Sequence, residues 1–296
     1  MNYFKSLYEK AEKIEAQPLV LAGAEDEEAL NAVIEAVKKN IIIPILVGDK
    51  EVIKEKIKGT VIENARIVNA STPYETAEKS VKEISQGEGK ILMKGLIKTA
   101  ILLKAALSKE WGLRTGNLLS HVAVADVNAY DKYVFITDGG MNIKPTVEEK
   151  AQIISNAVGL AKSLGVEIPK VACITAVEVV NPQMPETLDC AILSKMSQRG
   201  QIKNCIVDGP LGLDNAMSQF AADIKNVKGD VAGNADILLV PDIHCGNFLG
   251  KSVEYFGSGM IAGLIMGAKV PIVVVSRADK SEAKLASIML SVINVS

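Results

Sequence analysis

A serine and an arginine close one of the most apolar runs in the chain. In VVVSRADKSE, Val273 to Glu282, three β-branched residues give way to Ser276 and Arg277, and two carboxylates, Asp279 and Glu282, follow at once. A run this apolar predicts a strand buried on both faces, and the spacing from Lys280 to Leu290 predicts a helix behind it. At the tip of such a strand Arg277 offers a planar fork of donors to phosphate or carboxylate oxygens, and Ser276 adds a hydroxyl. The first helical turn adds free N–H groups and partial positive charge. The competing reading is a surface arginine paired with Asp279 or Glu282, an arrangement that contributes little. Residue types alone leave both open.

Other strand tips carry similar punctuation: Lys94-Gly95, Asp138-Gly139-Gly140, Asp208-Gly209-Pro210 and Pro241-Asp242. Ligands of open α/β sheets bind beyond the carboxyl ends of the strands, although Asp and Gly at those ends also serve simply to turn and cap. Two nucleotide signatures nearly occur. Gly257 to Ala262 fits G-x-G-x-x-A but follows the helical stretch FLGKSVEYF rather than a strand. Cys245 to Ser252, CGNFLGKS, resembles a phosphate-binding loop with cysteine in place of its first glycine; it follows DILLVPD and opens a helix, so a cradle of N–H groups is an alternative there. The two histidines, His121 and His244, lack ligand spacing to each other or to the cysteines, so no metal is expected. No G-x-S-x-G elbow occurs, and nothing supports a covalent enzyme intermediate.

The elements that must position these residues alternate along the whole chain. PLVLAG, IIPILVG, ARIVNA, KILMKG, HVAVADV, YVFITDGG, VACITA, NCIVDGP, DILLVPD and PIVVVS read as strands. Between them DEEALNAVIEAVKKN, TVEEKAQIISNAVGLAKSLG and DNAMSQFAADIKNVKG read as helices, and MIAGLIMGAKV as a helix end and a turn. Alternation of this kind means βαβ units and an α/β fold with mostly parallel sheets. About ten strands are many for one open sheet, which predicts two sheets in two domains, with a break near Trp111–Thr115.

Composition narrows the partners. Of 296 residues 48% are hydrophobic and 23% charged, and the formal net charge is -2. That excludes a disordered class and supplies no basic field for nucleic acid or an anionic membrane, leaving small molecules. The four cysteines form no C-x-x-C pair, and the N-terminal stretch is charged and helical in pattern rather than a signal peptide; both features predict a cytoplasmic protein.

Taken together the motifs resemble the phosphate acetyl/butyryltransferase family, its butyryl branch more closely than its acetyl branch. The likeness runs through KGLIKT, GLRTGNLLSHV, FITDGGMNIKPTVEEKAQIISNAV, PKVACITAVEVVNPQMPETLDCAIL, DGPLGLDNA, VAGNADILLVPDIHCGN and PIVVVSRADKSEAKLASI, in that order. It implies reversible conversion of butanoyl-CoA, or a related short-chain acyl-CoA, and phosphate into acyl phosphate and free CoA. Both reactants would be held in one ternary complex, with CoA and phosphate as substrates and no further cofactor. It implies two α/β/α domains like those of isocitrate and isopropylmalate dehydrogenases, residues 1–112 with 262–296 and residues 113–261, with the active site in the cleft between them. Homodimers or larger homo-oligomers are also implied. Ser276 and Arg277 match the family's Ser-Arg pair, the arginine on phosphate and the serine on the reacting centre. Thr99 matches a threonine near the cleft, Asp208, Gly209, Pro210, Leu211 and Asp214 match the GPL-x-x-D element, and Pro241, Asp242, Gly246 and Asn247 match P-D-x-x-x-G-N.

Two positions depart from the acetyl enzymes. Lys104 stands where they have a second arginine, keeping the charge and losing the fork. Ala283 stands where they place an aspartate six residues beyond the active-site arginine, which leaves Asp279 or Glu282 as the base. The rival functions are a phosphate acetyltransferase and a nucleotide- or NAD-linked enzyme using the glycine loops at 246–252 and 257–263.

Overall fold

A computed structural model describes residues 4–274 and 280–296, so Ser276, Arg277 and Asp279 lie outside the described residues. The chain divides into two units, Met1–Asn117 with Ala262–Ser296, and Leu118–Ile261.

The first unit begins with α1 (Lys5–Ala11), β1 (Gln17–Ala22), α2 (Glu27–Lys38), β2 (Ile42–Gly48), α3 (Lys50–Ile57), β3 (Arg66–Asn69), α4 (Pro73–Ser85), β4 (Ile91–Lys94) and α5 (Thr99–Ala106). The second holds β5 (Ser120–Asp126), β6 (Val134–Thr137), α6 (Val147–Ser163), β7 (Lys170–Ile174), α7 (Pro185–Gln198) and β8 (Ile206–Leu211). It continues with α8 (Leu213–Met217), α9 (Gln219–Ile224), β9 (Ile237–Leu239) and α10 (Ile243–Tyr255). The chain then returns to the first unit through β10 (Met260–Met266), β11 (Ile272–Val273) and α11 (Ser281–Asn294).

Strand order in the first unit is β3-β2-β1-β4-β11-β10, parallel except where β10 meets β11. In the second it is β5-β6-β9-β7-β8, parallel except where β5 meets β6. Leu19, Val20, Leu21 and Ala22 of β1 are all fully buried, as expected for a parallel strand covered by helices on both faces. The core of the second unit gathers Ala123, Ile136, Ala172, Leu211, Leu238 and Val240.

Helix starts follow the local sequence. Asp26 caps α2 by accepting from Ala29 N at 3.0 Å, Thr72 caps α4 with Pro73 in its first turn, and Thr146 with Glu149 forms a reciprocal capping box on α6. Two elements differ from the sequence expectation. Met260–Met266, expected as a helix end, is strand β10: an apolar run of this length satisfies either period, and Gly267 with φ of 100° turns it into an antiparallel partner for β11. DNAMSQFAADIK is two short helices, because Ser218 leaves α8 in an extended conformation and caps α9 with its hydroxyl, 3.3 Å from Ala221 N. Among the described residues no helix is long and apolar enough to cross a membrane.

Candidate functional site

In the first unit the parallel strands end on tightly joined loops. Gly95 N donates to Ala22 O at 2.8 Å and Leu96 N to Gly23 O at 2.7 Å. Gly23 has φ of 79°, and a Cβ on Gly95 would stand 2.2 Å from Gly23 O, so both glycines are required where the β1 and β4 tips touch. Immediately beyond, Thr99 is the half-buried first residue of α5, and Lys104 is exposed in its last turn. Five residues of helix rotate side chains by about 140°, so α5 does not bring Thr99 and Lys104 to one face. On α11 Glu282 is exposed while Ala283 is buried. Successive helical positions point about 100° apart, so Glu282 does not project where a side chain at 283 would.

In the second unit β6, β9, β7 and β8 are mutually parallel, so the residues after them share one carboxyl edge. Asp138 follows β6 and is 2% exposed. Its carboxylate accepts from Gly140 N at 2.8 Å, Met141 N at 2.9 Å, His121 N at 3.1 Å, Asn142 N at 3.3 Å and Asn142 Nδ2 at 2.6 Å. The loop so fixed presents Gly139 to α10. A Cβ on Gly246 would lie 2.6 Å from Gly139 Cα and 2.8 Å from Asp138 O, so the tip of β6 and the first turn of α10 meet backbone to backbone. Gly246 is buried by that contact, and Asn247 beside it is exposed.

Asp242 sits at the N-cap of α10 and accepts from Cys245 N at 2.9 Å. This backbone N–H, opposed by partial burial, holds its carboxyl below the usual aspartate value. A lowered folded pKa stabilises above the unfolded value and is lost as pH falls through the folded one. Asp242→Ala should therefore cost about 1 kcal/mol at neutral pH, with the gap to the parent closing on acidification below the ordinary carboxylate range, whereas Asp242→Asn should keep most of the cap. Urea unfolding at neutral and acidic pH checks both; equal loss at the two pH values would disprove the capping role.

The same cap corrects the idea of an anion cradle at 246–252. That stretch is the interior of α10, and its first-turn donors are taken: Ile243 N by Ile143 O at 3.1 Å, Cys245 N by Asp242, and Gly246 N by Asp242 O at 3.2 Å. The aspartate occupies the position an anion would use. The loop at 257–263 joins a helix to a strand, the reverse of the strand-to-helix turn of a dinucleotide site.

Asp208, Gly209 and Pro210 lie within β8, where the register against β7 slips between Ala172 and Ile174. Proline has no N–H for the ladder, which is why the irregularity falls here. Asp208 Oδ1 accepts from Gly209 N at 2.8 Å, and a Cβ on Gly209 would come 2.7 Å from Cys173 Cβ. Asp214 is committed elsewhere, paired with Lys225 at 3.0 Å, and that partner lowers its pKa.

Three of the four thiols are held away from the reactive thiolate. Cys173 is pushed up by its hydrogen bond with Cys190 and by burial, Cys205 to about 11 by burial, and Cys245 by desolvation and the Asp242 charge. Among the described residues no three His, Cys, Asp or Glu side chains group as metal ligands.

Thus Asp242, Gly246 and Asn247 are brought together with the Asp138 loop, whereas Asp208, Gly209 and Pro210, expected at a strand tip, lie inside β8, with Asp208 level with Ala172 in the middle of β7. Asp138 was legible as a turn residue but not as the hub of five hydrogen bonds, because one donor comes from His121 on the neighbouring strand.

Comparison with known proteins gives one consistent result. Residues 73–292 match the family model described as phosphate acetyl/butaryl transferase. The chain is 47% identical over 288 residues to a probable phosphate butyryltransferase of Bacillus subtilis, covering 97% of this chain and 96% of the relative. It is 44% identical over 277 residues to a phosphate acetyltransferase of Thermotoga maritima, covering 93% and 94%. A crystal structure of a branched-chain phosphotransacylase from Enterococcus faecalis superposes with a TM-score of 0.83 at 34% identity, covering 94% of this chain and 99% of that one.

Proposed function

The chain belongs to the phosphate acetyl/butyryltransferase family, and from that premise we propose that it is an acyltransferase with butanoyl-CoA, or a close short-chain relative, as its acyl donor. The reaction is reversible: acyl-CoA and inorganic phosphate give acyl phosphate and CoA. The observation that carries this reading is the near-full-length likeness to butyryl and acetyl enzymes alike. Lys104 and Ala283, at the two positions where acetyl enzymes are expected to differ, favour the butyryl branch over acetyl-CoA.

The chemistry asks for a phosphate held against a thioester. A phosphate oxygen attacks the carbonyl carbon, the C–S bond breaks as the tetrahedral centre collapses, and the proton released from phosphate ends on the CoA sulfur. In reverse, the CoA thiol, with an ordinary pKa of about 8.5, loses its proton to a base as it attacks acyl phosphate. In this reading Arg277 binds phosphate, Ser276 donates to the oxyanion, and Asp279, ahead of Glu282, takes the thiol proton. The exposed direction of Glu282 on α11 supports that order. Thr99 and Lys104 from the first unit and Asp208, Gly209, Pro210 and Asn247 from the second serve phosphate and CoA, while Asp242 and Gly246, committed to the start of α10, shape the loop that receives them. This assignment supposes a cleft between two dehydrogenase-like domains, in a cytoplasmic homo-oligomer.

Phosphate-dependent release of free thiol from butanoyl-CoA tests the reaction, and a ladder of acyl lengths tests the preference. Butanoyl-CoA should exceed acetyl-CoA in kcat/KM. Because one methylene is worth about 1–3 kcal/mol in an apolar pocket, the neighbouring chain lengths should remain measurable substrates. Absence of phosphate-dependent release from every acyl-CoA would defeat the assignment.

A further inference from the structure

We propose that Lys94, at the tip of β4, binds the phosphate substrate as a second cation alongside Arg277; the proposal rests on the acyltransferase reading above. β4 is an inner strand, parallel to β1 on one side and to β11 on the other. Lys94 pairs with Ala22 at the end of β1, and Met93 pairs with Val273 of β11. Lys94 therefore stands on the carboxyl edge from which the chain runs on to Ser276 and Arg277. Its ammonium is tied over the loop that follows, donating to Gly95 O at 3.1 Å and to Ile97 O at 3.3 Å. Ile97 lies just ahead of Thr99, so these bonds hold a positive charge at the start of α5, by the threonine already assigned to the substrates.

A lysine is a costly choice for this place. Ile91, Leu92 and Met93 before it are fully buried, and Lys94 itself is half-buried, so its ammonium gives up part of its hydration. Carbonyl oxygens replace lost water but carry no net charge, so Gly95 O and Ile97 O pin the ammonium without neutralising it. An ammonium is a compact point charge with three donors and an established type of phosphate ligand. One arginine fork engages two phosphate oxygens and leaves the others to further donors. Lys104, the position that the resemblance offers for a second cation, is exposed in the last turn of α5, about 7.5 Å of helix beyond Thr99. Lys94 supplies that charge at the near end of the helix. The competing role is a staple that merely holds the loop whose Leu96 N joins Gly23 O at 2.7 Å. Charge separates the two roles, because a staple needs only N–H donors.

Lys94→Gln is the decisive variant, since its amide can still donate to the loop carbonyls but carries no charge. Its KM for phosphate should rise about tenfold to a hundredfold while its KM for butanoyl-CoA changes by less than about twofold, and Lys94→Arg should recover most of the loss. Binding is read separately from turnover: inorganic phosphate should raise the melting temperature of the parent, and that of Lys94→Gln much less. A folded Lys94→Gln protein with the parental KM and the parental phosphate shift overturns the proposal, and so does an equal rise in KM for both substrates. A parent that phosphate stabilises but that releases no thiol from any acyl-CoA would defeat the acyltransferase reading, and the phosphate shift would still decide on Lys94. A parent that phosphate does not stabilise overturns the proposal. Should Lys94→Gln fail to fold, the parent answers by mass spectrometry. Phosphate should slow the acetylation of Lys94 by acetic anhydride and not that of the exposed Lys13, and equal rates at Lys94 with and without phosphate overturn the proposal.

Discussion

Replacing Arg277 with alanine is expected to lower kcat by about a thousandfold or more, the scale seen when a transition-state anion loses a fixed charged or hydrogen-bonding partner. The argument starts from the reaction. Phosphate carries charge in the ground state, and the thioester oxygen gains it in the tetrahedral transition state, so a cationic fork close to both stabilises the barrier more than the bound reactants. Arg277 falls in the chain between β11, which pairs in parallel with β4, and α11, on the carboxyl side of a buried strand. Arg277→Lys keeps the charge but not the paired donors, and should lie between the parent and the alanine variant.

Two controls make that result specific. The KM for phosphate should rise in Arg277→Ala while the KM for acyl-CoA changes little, because the fork is assigned to phosphate. The urea midpoint should stay close to that of the parent, since the assigned role is in binding and not in packing. Near-parental turnover in a folded Arg277→Ala protein would remove Arg277 from the mechanism.

The legible part of the fold was whatever a local signal determines. Buried strands such as PLVLAG and helix starts such as Thr146 with Glu149 are set by neighbours within a few residues, and these stand as expected. What was not legible depends on partners remote in sequence. The run MIAGLIM fits a helix or a strand equally, and only its pairing with β11 decides. CGNFLGKS looks like a loop because of its glycines, yet Gly246 is there for close approach to Gly139, more than a hundred residues earlier, and the segment is helical. The strand-tip residues of the candidate site were visible because Asp and Gly punctuate strand ends. Their sorting into capping, packing and exposed roles was not, since it depends on which donors the tertiary fold delivers.

Asp138→Ala is expected to be the most destabilising single change in the second unit, on the order of 3–5 kcal/mol, against total stabilities of about 5–15 kcal/mol for natural domains. Its two oxygens satisfy four backbone N–H groups and the Asn142 amide, in a setting only 2% exposed. Removing the carboxylate strands those donors where water has little access. Each stranded group costs about 1–3 kcal/mol, with the sum reduced because the loop relaxes as a unit. Asp138→Asn preserves shape but turns an NH2 toward groups that are themselves donors, so it should rescue only part of the loss. The consequence should reach the candidate site: the loop that Asp138 fixes carries Gly139, whose backbone seats Gly246 and the first turn of α10. Urea denaturation should show the midpoint falling in Asp138→Ala. At temperatures where the variant remains folded, the KM for acyl-CoA or phosphate should rise more than kcat falls, because the residue positions a binding loop without touching the reacting atoms. A midpoint within experimental error of the parent would show that the five hydrogen bonds are replaceable, and would remove Asp138 as the organiser of this edge of the sheet.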